Sequence, residues 1–185
     1  MRRRTVAAAL LACLLVDGCG VPADDMPRTV DRPRPDYRSG TPAPDGFGPV
    51  VERLYLVRDG KLVRVQRRLA VARSPQQMVS DLSAPPTHAE QQDGLATALS
   101  TMAIGPITLV QRRASIEIDT GPGQGARSDE VLAYGQIVCT LTSQGADVGT
   151  VSFTRGGAPL TVPQGDGSLT TEPLTIADYA DLIEP

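Results

Sequence analysis

The sequence predicts an α+β domain: a mixed β-sheet with helices packed mainly on one face, preceded by a signal segment and a proline-rich tether. Three observations predict it. Residues 51–69 alternate apolar and polar side chains around Asp59-Gly60, a preferred two-residue hairpin turn. Ser74-Pro75-Gln76-Gln77 and Thr87-His88-Ala89-Glu90 have the form of capping boxes that open helices. Further on, Val131, Tyr134, Val138 and Leu141 recur at helical spacing between two more pairs of strand-like runs. The resulting order, ββ-α-α-ββ-α-ββ-α, is that of helices layered on a sheet.

The chain opens with Arg2-Arg3-Arg4, an apolar run from Val6 to Val16, and then Gly18-Cys19. A cationic start, a short apolar segment and a small residue before the cut make a secretory signal over residues 1–18. The run is too short to span a bilayer, which takes about 20 apolar residues. Val16-Asp17-Gly18-Cys19 is similar to a lipobox, with Asp17 charged where a small or apolar residue is usual. Cleavage between Gly18 and Cys19 would leave Cys19 to carry the lipid, palmitate-type acyl chains included. Leu10-Leu11-Ala12-Cys13 also fits on paper, but cleavage there would leave only about half of the apolar run. Two or more acyl chains, at about 0.8 kcal/mol per buried CH₂, hold a protein on a membrane where one chain holds it poorly. The expected address is the outer face of the cytoplasmic membrane.

Residues 19–50 read as a disordered linker behind the acylated cysteine. Seven prolines (Pro22, Pro27, Pro33, Pro35, Pro42, Pro44 and Pro49) interrupt it, and its few apolar residues have no period. As a flexible coil it would span roughly 30 Å, and as polyproline II about 95 Å. Residues 51–185 are long enough for one domain with one core.

Within that domain the turn at Asp59-Gly60 sets a register. Arg58 faces Lys61, Leu56 faces Val63, Leu54 faces Val65, and Glu52 faces Arg67 as an expected ion pair. Leu54, Leu56, Val63 and Val65 form the apolar face, leaving Arg53, Tyr55, Arg64 and Gln66 on the wetter one. The first capped helix buries Met78, Val79 and Leu82 and ends at Pro85-Pro86. The second runs through Leu95 and Leu99. Strands are expected at Ile107–Arg112 and Ser115–Asp119, followed by a glycine loop over residues 120–125. Ser128 caps the main helix, which runs to about Ser143, with Asp129 and Glu130 in its favourable first turn. Val148–Thr154 and Ala158–Val162 read as a hairpin around Gly156-Gly157. Thr175-Ile176-Ala177-Asp178 opens a last short helix with Ile176, Tyr179 and Ile183 inward.

Candidate chemistry is sparse. After the signal, 15 basic and 20 acidic side chains leave a net charge of −5, a poor match for nucleic acid. The charge is uneven: residues 19–73 hold 11 basic and 7 acidic groups, residues 74–185 hold 4 and 13. A basic hairpin near the anchor could face anionic lipid or wall polymer, or be an ordinary solvated face. Cys139 has no disulfide partner in the mature chain besides Cys19 and reads as a small buried residue. His88, at the first turn after a cap, should be exposed. The glycine loop lacks the spacing of a phosphate loop. Glu117/Asp119 and Asp129/Glu130 are the acidic pairs a hydrolase could use, but acid–base work needs environments that separate the two pKa values. No tryptophan and few aromatic residues leave little to stack a sugar. No catalytic, cofactor-binding or metal-ligating set is assigned.

Cys19-Gly20-Val21-Pro22 with its proline-rich tether, Leu54-Tyr55-Leu56-Val57 and Gly94-Leu95-Ala96-Thr97-Ala98-Leu99 resemble the GerMN domain lipoproteins of actinobacteria. So do Ala133-Tyr134-Gly135-Gln136-Ile137-Val138-Cys139-Thr140-Leu141-Thr142, Val148-Gly149-Thr150-Val151-Ser152-Phe153, and Val162-Pro163 through Leu174-Thr175-Ile176-Ala177-Asp178-Tyr179. The likeness covers residues 50–185. Ile116-Glu117-Ile118-Asp119 departs from it, since that strand usually ends in something like Val-Asp-Leu-Ser. The resemblance implies a non-catalytic module of spore-germination, sporulation and cell-surface proteins, some of them accessories to sensor kinases, with a fold similar to ring-building motifs. The expectation is therefore an anchored lipoprotein that binds an envelope protein or itself, with binding of a lipid or glycan as the alternative and a hydrolase last.

Overall fold

The computed structural model describes residues 48–120 and 127–185. The signal, the Gly18-Cys19 site, Cys13, nearly all of the tether, most of the glycine loop and the Ser128 side chain lie outside the described residues. Strands β1 (Val50–Arg58) and β2 (Lys61–Leu69) pair antiparallel in the expected register, Leu56 against Val63, Leu54 against Val65 and Glu52 against Arg67. Asp59 and Gly60 both take positive φ, 50° and 74°, as a type I′ turn requires. Leu54 and Leu56 are buried as expected. The other face is only partly the wet one: Arg64 and Gln66 are exposed, but Tyr55 and Leu62 are 4 % and 0 % exposed, because a helix and a 3₁₀ turn from later in the chain cover them.

Helix α1 (Pro75–Ser83) has its full capping box. The Gln77 N–H donates to Ser74 Oγ at 3.3 Å and the Ser74 N–H to Gln77 Oε1 at 2.9 Å. Val79 and Leu82 are its buried side. Helix α2 (His88–Gln92) is one turn, shorter than the spacing of Leu95 and Leu99 suggests. It ends at Gly94, where φ is +76°. Leu95 and Leu99 are buried all the same, from an irregular segment pinned to β1 by a pair of backbone bonds between Ala96 and Val57, 2.9 and 2.8 Å.

The expected single sheet is divided into three. Strands β3 (Ala103–Val110), β4 (Arg113–Thr120), β5 (Thr150–Arg155) and β6 (Ala158–Pro159) form a mixed four-stranded sheet in that order. Only the β4–β5 pair is parallel. The β3–β4 turn falls at Gln111-Arg112, both at positive φ, so β3 stops two residues short of the expected Arg112 although it starts earlier, at Ala103, and β4 is longer than expected at both ends. β1–β2 is a separate ribbon, as is β7 (Val162–Pro163) with β8 (Leu169–Thr170). The last helical segment, Ile176–Leu182, is 3₁₀. The Asp178 carboxylate accepts from both the Thr175 N–H and its hydroxyl, 2.7 and 2.9 Å, and Tyr179 is fully buried.

The parallel crossover carries helix α3 (Arg127–Thr142). Residues 132–141 are all buried, so the spacing of Val131, Tyr134, Val138 and Leu141 marks one covered face among several. A helix covered all round is a core element, not an amphipathic surface one. It touches β1 and β2, β5, β7, α1 and the 3₁₀ helix. Tyr134 meets Phe153 of β5 edge-to-face at 4.8 Å, a geometry that adds about 0.5–1.5 kcal/mol to plain burial. Gly135 lets the helix come close: a Cβ there would lie 2.9 Å from both Leu62 Cδ1 and Tyr179 Cδ1. The Tyr179 hydroxyl donates to the Pro163 carbonyl at 2.7 Å, tying the 3₁₀ turn to β7. Among the described residues no helix is long and apolar enough to cross a membrane.

Two measurements test this packing. Gly135→Ala should lower unfolding stability by about 1–3 kcal/mol in urea titration, the usual cost of overfilling a core. An unchanged midpoint would mean that Leu62 and Tyr179 yield freely. Gln136→Leu should cost about 1–3 kcal/mol for each of the two backbone groups it leaves unpaired, the Tyr55 carbonyl and the Ala98 N–H.

Candidate functional site

Open strand edges are the places where a β-containing domain offers itself to another chain, and each unpaired backbone group there must find a partner or water. The β1–β2 ribbon has two edges. On β1 the outward residues are Val51, Arg53, Tyr55 and Val57. The Gln144 side chain serves both backbone groups of Arg53, accepting from its N–H at 3.2 Å and donating to its carbonyl. Thr140 Oγ1 accepts from the Tyr55 N–H at 3.0 Å, and Gln136 Nε2 donates to the Tyr55 carbonyl at 2.8 Å. Val57 pairs with Ala96. The spacing of Gln136, Thr140 and Gln144, four residues apart, stacks them along one line of α3 and its C-terminal extension. From Arg53 to Val57 that edge is closed. On β3, Gln76 serves two edge groups, accepting from the Ile107 N–H at 2.9 Å and donating to the Gly105 carbonyl at 3.4 Å.

The edge of β2 differs. By the register, Leu62, Arg64, Gln66 and Arg68 point their backbone groups outward. Leu62 is served at the turn end, where its carbonyl accepts from the Glu184 N–H at 2.9 Å and Ile183 bridges it in parallel. Beyond it, the backbone groups of Arg64, Gln66 and Arg68 meet no partner among the described residues, and their side chains are exposed. Arg58 pairs with Glu184 at 2.9 Å, and Lys61 donates to the Asp181 carbonyl at 2.9 Å. A cleft of about 420 Å³ lies at the junction, lined by Tyr55, Arg58, Val63, Arg64, Ile183, Glu184 and Pro185. A second, more apolar cleft of about 350 Å³ lies among Gly60, Val131, Leu132, Leu182 and the turn Gly165–Gly167.

At the far end of the ribbon sits a charge cluster that the register alone misassigns. Arg67 is opposite Glu52, but its guanidinium forks onto Glu90 at 3.0 and 2.7 Å. Glu90 wins because it arrives on a capped helical turn with its carboxylate already oriented by the Thr87 N–H at 2.7 Å. Burial pushes the Glu90 pKa up, and the hydrogen bonds from Arg67 and Thr87 outweigh it, leaving the carboxyl below its ordinary value. Glu52 is 3 % exposed, and among the described residues neither of its oxygens has a hydrogen-bond partner. Burial, reinforced by Asp81 and opposed by Arg73 and Arg67, holds its pKa above the ordinary value. Arg73 itself pairs with Asp81 at 2.8 Å.

The other sequence candidates fall into place individually. Glu117 and Asp119 do share a strand face, but the Glu117 carboxylate is occupied. It accepts from the Thr154 hydroxyl at 2.6 Å and from the Gly156 N–H, clamping the β5–β6 turn. Those bonds, the Thr154 hydroxyl foremost, lower its pKa, the opposite of what a general acid needs. Asp129 and Glu130 sit in the first turn of α3, where acidic side chains complement the helix dipole. Cys139 is fully buried, and burial pushes its thiol pKa up to about 12, which keeps it protonated and unreactive. His88 is exposed. Among the described residues no three His, Cys, Asp or Glu side chains gather in a metal-holding group. What sequence reasoning missed was Glu52 without a hydrogen-bond partner among the described residues and the closing of one ribbon edge but not the other. The i, i+4, i+8 series of Gln136, Thr140 and Gln144, running from the apolar stretch of α3 to just past its end, was the available signal.

The Glu52 pKa has a sign that can be checked. Raised in the folded state, it gives stability that is whole below the unfolded carboxyl's pKa and is lost as pH rises through the folded one. Glu52→Gln should therefore melt higher than the wild type at neutral pH and show a flatter pH dependence on the alkaline side of the unfolded value. A lower melting temperature at neutral pH would show that the charged carboxylate is held by attraction.

Comparison with known proteins follows the fold. The family model Germane, described as sporulation and spore germination, matches residues 41–161. No curated protein sequence matches. A solved structure of the tandem GerMN domains of the sporulation protein GerM from Bacillus subtilis is similar at 19 % identity and a TM-score of 0.49. The match covers 68 % of this chain and 45 % of that one, so this chain spans less than half of its length. With the family model matching well over half of its residues, the chain belongs to the Germane family of sporulation and spore-germination domains.

Proposed function

We propose that this protein is a lipoprotein held on the outer face of the cytoplasmic membrane by acylated Cys19, and that its Germane domain acts by binding protein, without catalysis. One observation carries the reading: glutamine and threonine side chains and Ala96 cover β1 from Arg53 to Val57, Gln76 covers the middle of β3, and β2 leaves the three consecutive outward residues Arg64, Gln66 and Arg68 open. An open stretch of edge directly across the ribbon from a covered one is a surface on which a partner strand can add. The residues with chemical potential support the same reading, since Glu117 clamps a turn and Cys139 is sealed in the core. The lipobox-like start and the length of the tether support the anchored part, giving the domain reach from the bilayer surface.

Crosslinking in living cells tests it, with tagged wild-type protein and a Cys19→Ser variant compared by fractionation and mass spectrometry. Wild type should stay with the membrane and capture a defined envelope protein or itself, whereas Cys19→Ser should be released and lose that capture. Equal membrane retention of both would overturn the anchor. Specific capture by neither would overturn the interaction.

A further inference from the structure

The geometry points to the β2 edge as a strand-addition site for an extended peptide that alternates acidic and aliphatic residues. This names the partner chemistry for the interaction proposed above and rests on that reading. The backbone groups of Arg64, Gln66 and Arg68 face outward on the same strand and have no partner among the described residues. An added strand would bond to them as an ordinary ladder does. The chain itself makes the first rung: Ile183 lies parallel to Leu62, the Glu184 N–H reaches its carbonyl, and the Glu184 carboxylate sits on Arg58. The occupant seen at that rung is an apolar residue followed by an acidic one.

Side-chain chemistry sets the alternation. Arg64, Gln66 and Arg68 have even numbers and so project to one face of the ribbon, where the exposed guanidinium groups call for carboxylates. Val63 and Val65 project to the other face and are only partly buried, so an aliphatic residue alongside would finish covering them. The cleft beside Val63 and Ile183 has room for such a side chain. A second copy of this chain is a poor occupant, because edge-to-edge pairing would set arginine against arginine. An anionic lipid surface fits less well, since phosphates only accept hydrogen bonds and three outward carbonyls need donors.

The test uses the purified full chain and a fluorescent peptide of about six alternating glutamate and valine residues, the length of an ordinary strand. A control peptide has lysine in place of glutamate. Anisotropy should rise with the acidic peptide alone, and amide hydrogen exchange should slow at Arg64, Gln66 and Arg68. Arg64→Glu combined with Arg68→Glu should weaken binding by roughly tenfold or more. Gln66→Pro removes one docking N–H without changing charge, is tolerated on an edge strand, and should also weaken it. Its melting curve reports whether the fold is kept. No binding, equal binding of the lysine peptide, or arginine-dependent binding to phosphatidylglycerol vesicles without amide protection would each overturn the proposal. If the peptide fails while crosslinked cells still capture an envelope protein, the strand-addition mode is lost and the interaction reading stands.

Discussion

The structure depends on a polar ladder inside an apolar core. Helix α3 is buried along ten consecutive residues, yet Gln136 and Thr140 sit among them, fully enclosed. A buried amide or hydroxyl without partners would cost a few kcal/mol, so these side chains are tolerated only where something needs them. What needs them is the outward edge of β1, whose N–H and carbonyl groups would otherwise be buried unpaired against the helix. Helix and strand each satisfy the other. Because hydrogen bonds are directional where apolar contact is not, this ladder fixes how far along β1 the helix sits and how it is rotated about its axis. The same amide reaches Ala98 at 2.7 Å and so holds the irregular segment whose neighbour Ala96 closes Val57.

Around that ladder the remaining elements have less freedom. Gly135 is one residue from Gln136, so the rotation that aims the amide at β1 also turns the bare glycine backbone toward Leu62 and Tyr179. Tyr179 then fills the space and passes its hydroxyl to β7. On the opposite side Tyr134 finds Phe153 in the four-stranded sheet. Two ribbons and a four-stranded sheet that share no backbone ladder are thus joined through one helix, which is why the molecule behaves as an α+β core although its strands form no continuous sheet.

Much of this is legible in the sequence, and the failures have physical causes. The β1–β2 register is readable because Asp-Gly fixes the turn and a two-residue loop leaves no choice of parity. Both capping boxes are readable because their partners lie three residues apart. Glu52 is misread for the complementary reason: strand register says who is adjacent, while the stronger claim on Arg67 comes from a carboxylate oriented by a helix cap 23 residues further on. Alternation puts Tyr55 in water because it assigns one face to the core, whereas a late segment covers the second. The faces of α3 are hard to read because a helix enclosed on every side has little amphipathic contrast to detect. Of the candidate site, the basic character of β2 is visible in its arginines. Its open edge is not, since that depends on which distant side chains arrive to block the other edges.

The placement of the 3₁₀ turn has a kinetic consequence. The elements that finish the domain come late: Leu174 closes the side of β5, Tyr179 fills the hollow at Gly135, and Glu184 caps the turn end of β2. The hairpin they complete is made more than a hundred residues earlier. Contacts between such distant parts of a chain carry a large loop-closure cost and form slowly. During synthesis the β1–β2 ribbon must wait, both edges bare and one face uncovered, until nearly all of the rest has emerged. In that interval the arginines of β2 have a protective effect, because like charges along a bare edge discourage two waiting hairpins from pairing with each other, and they still guard the stretch from Arg64 to Arg68 once the domain is complete.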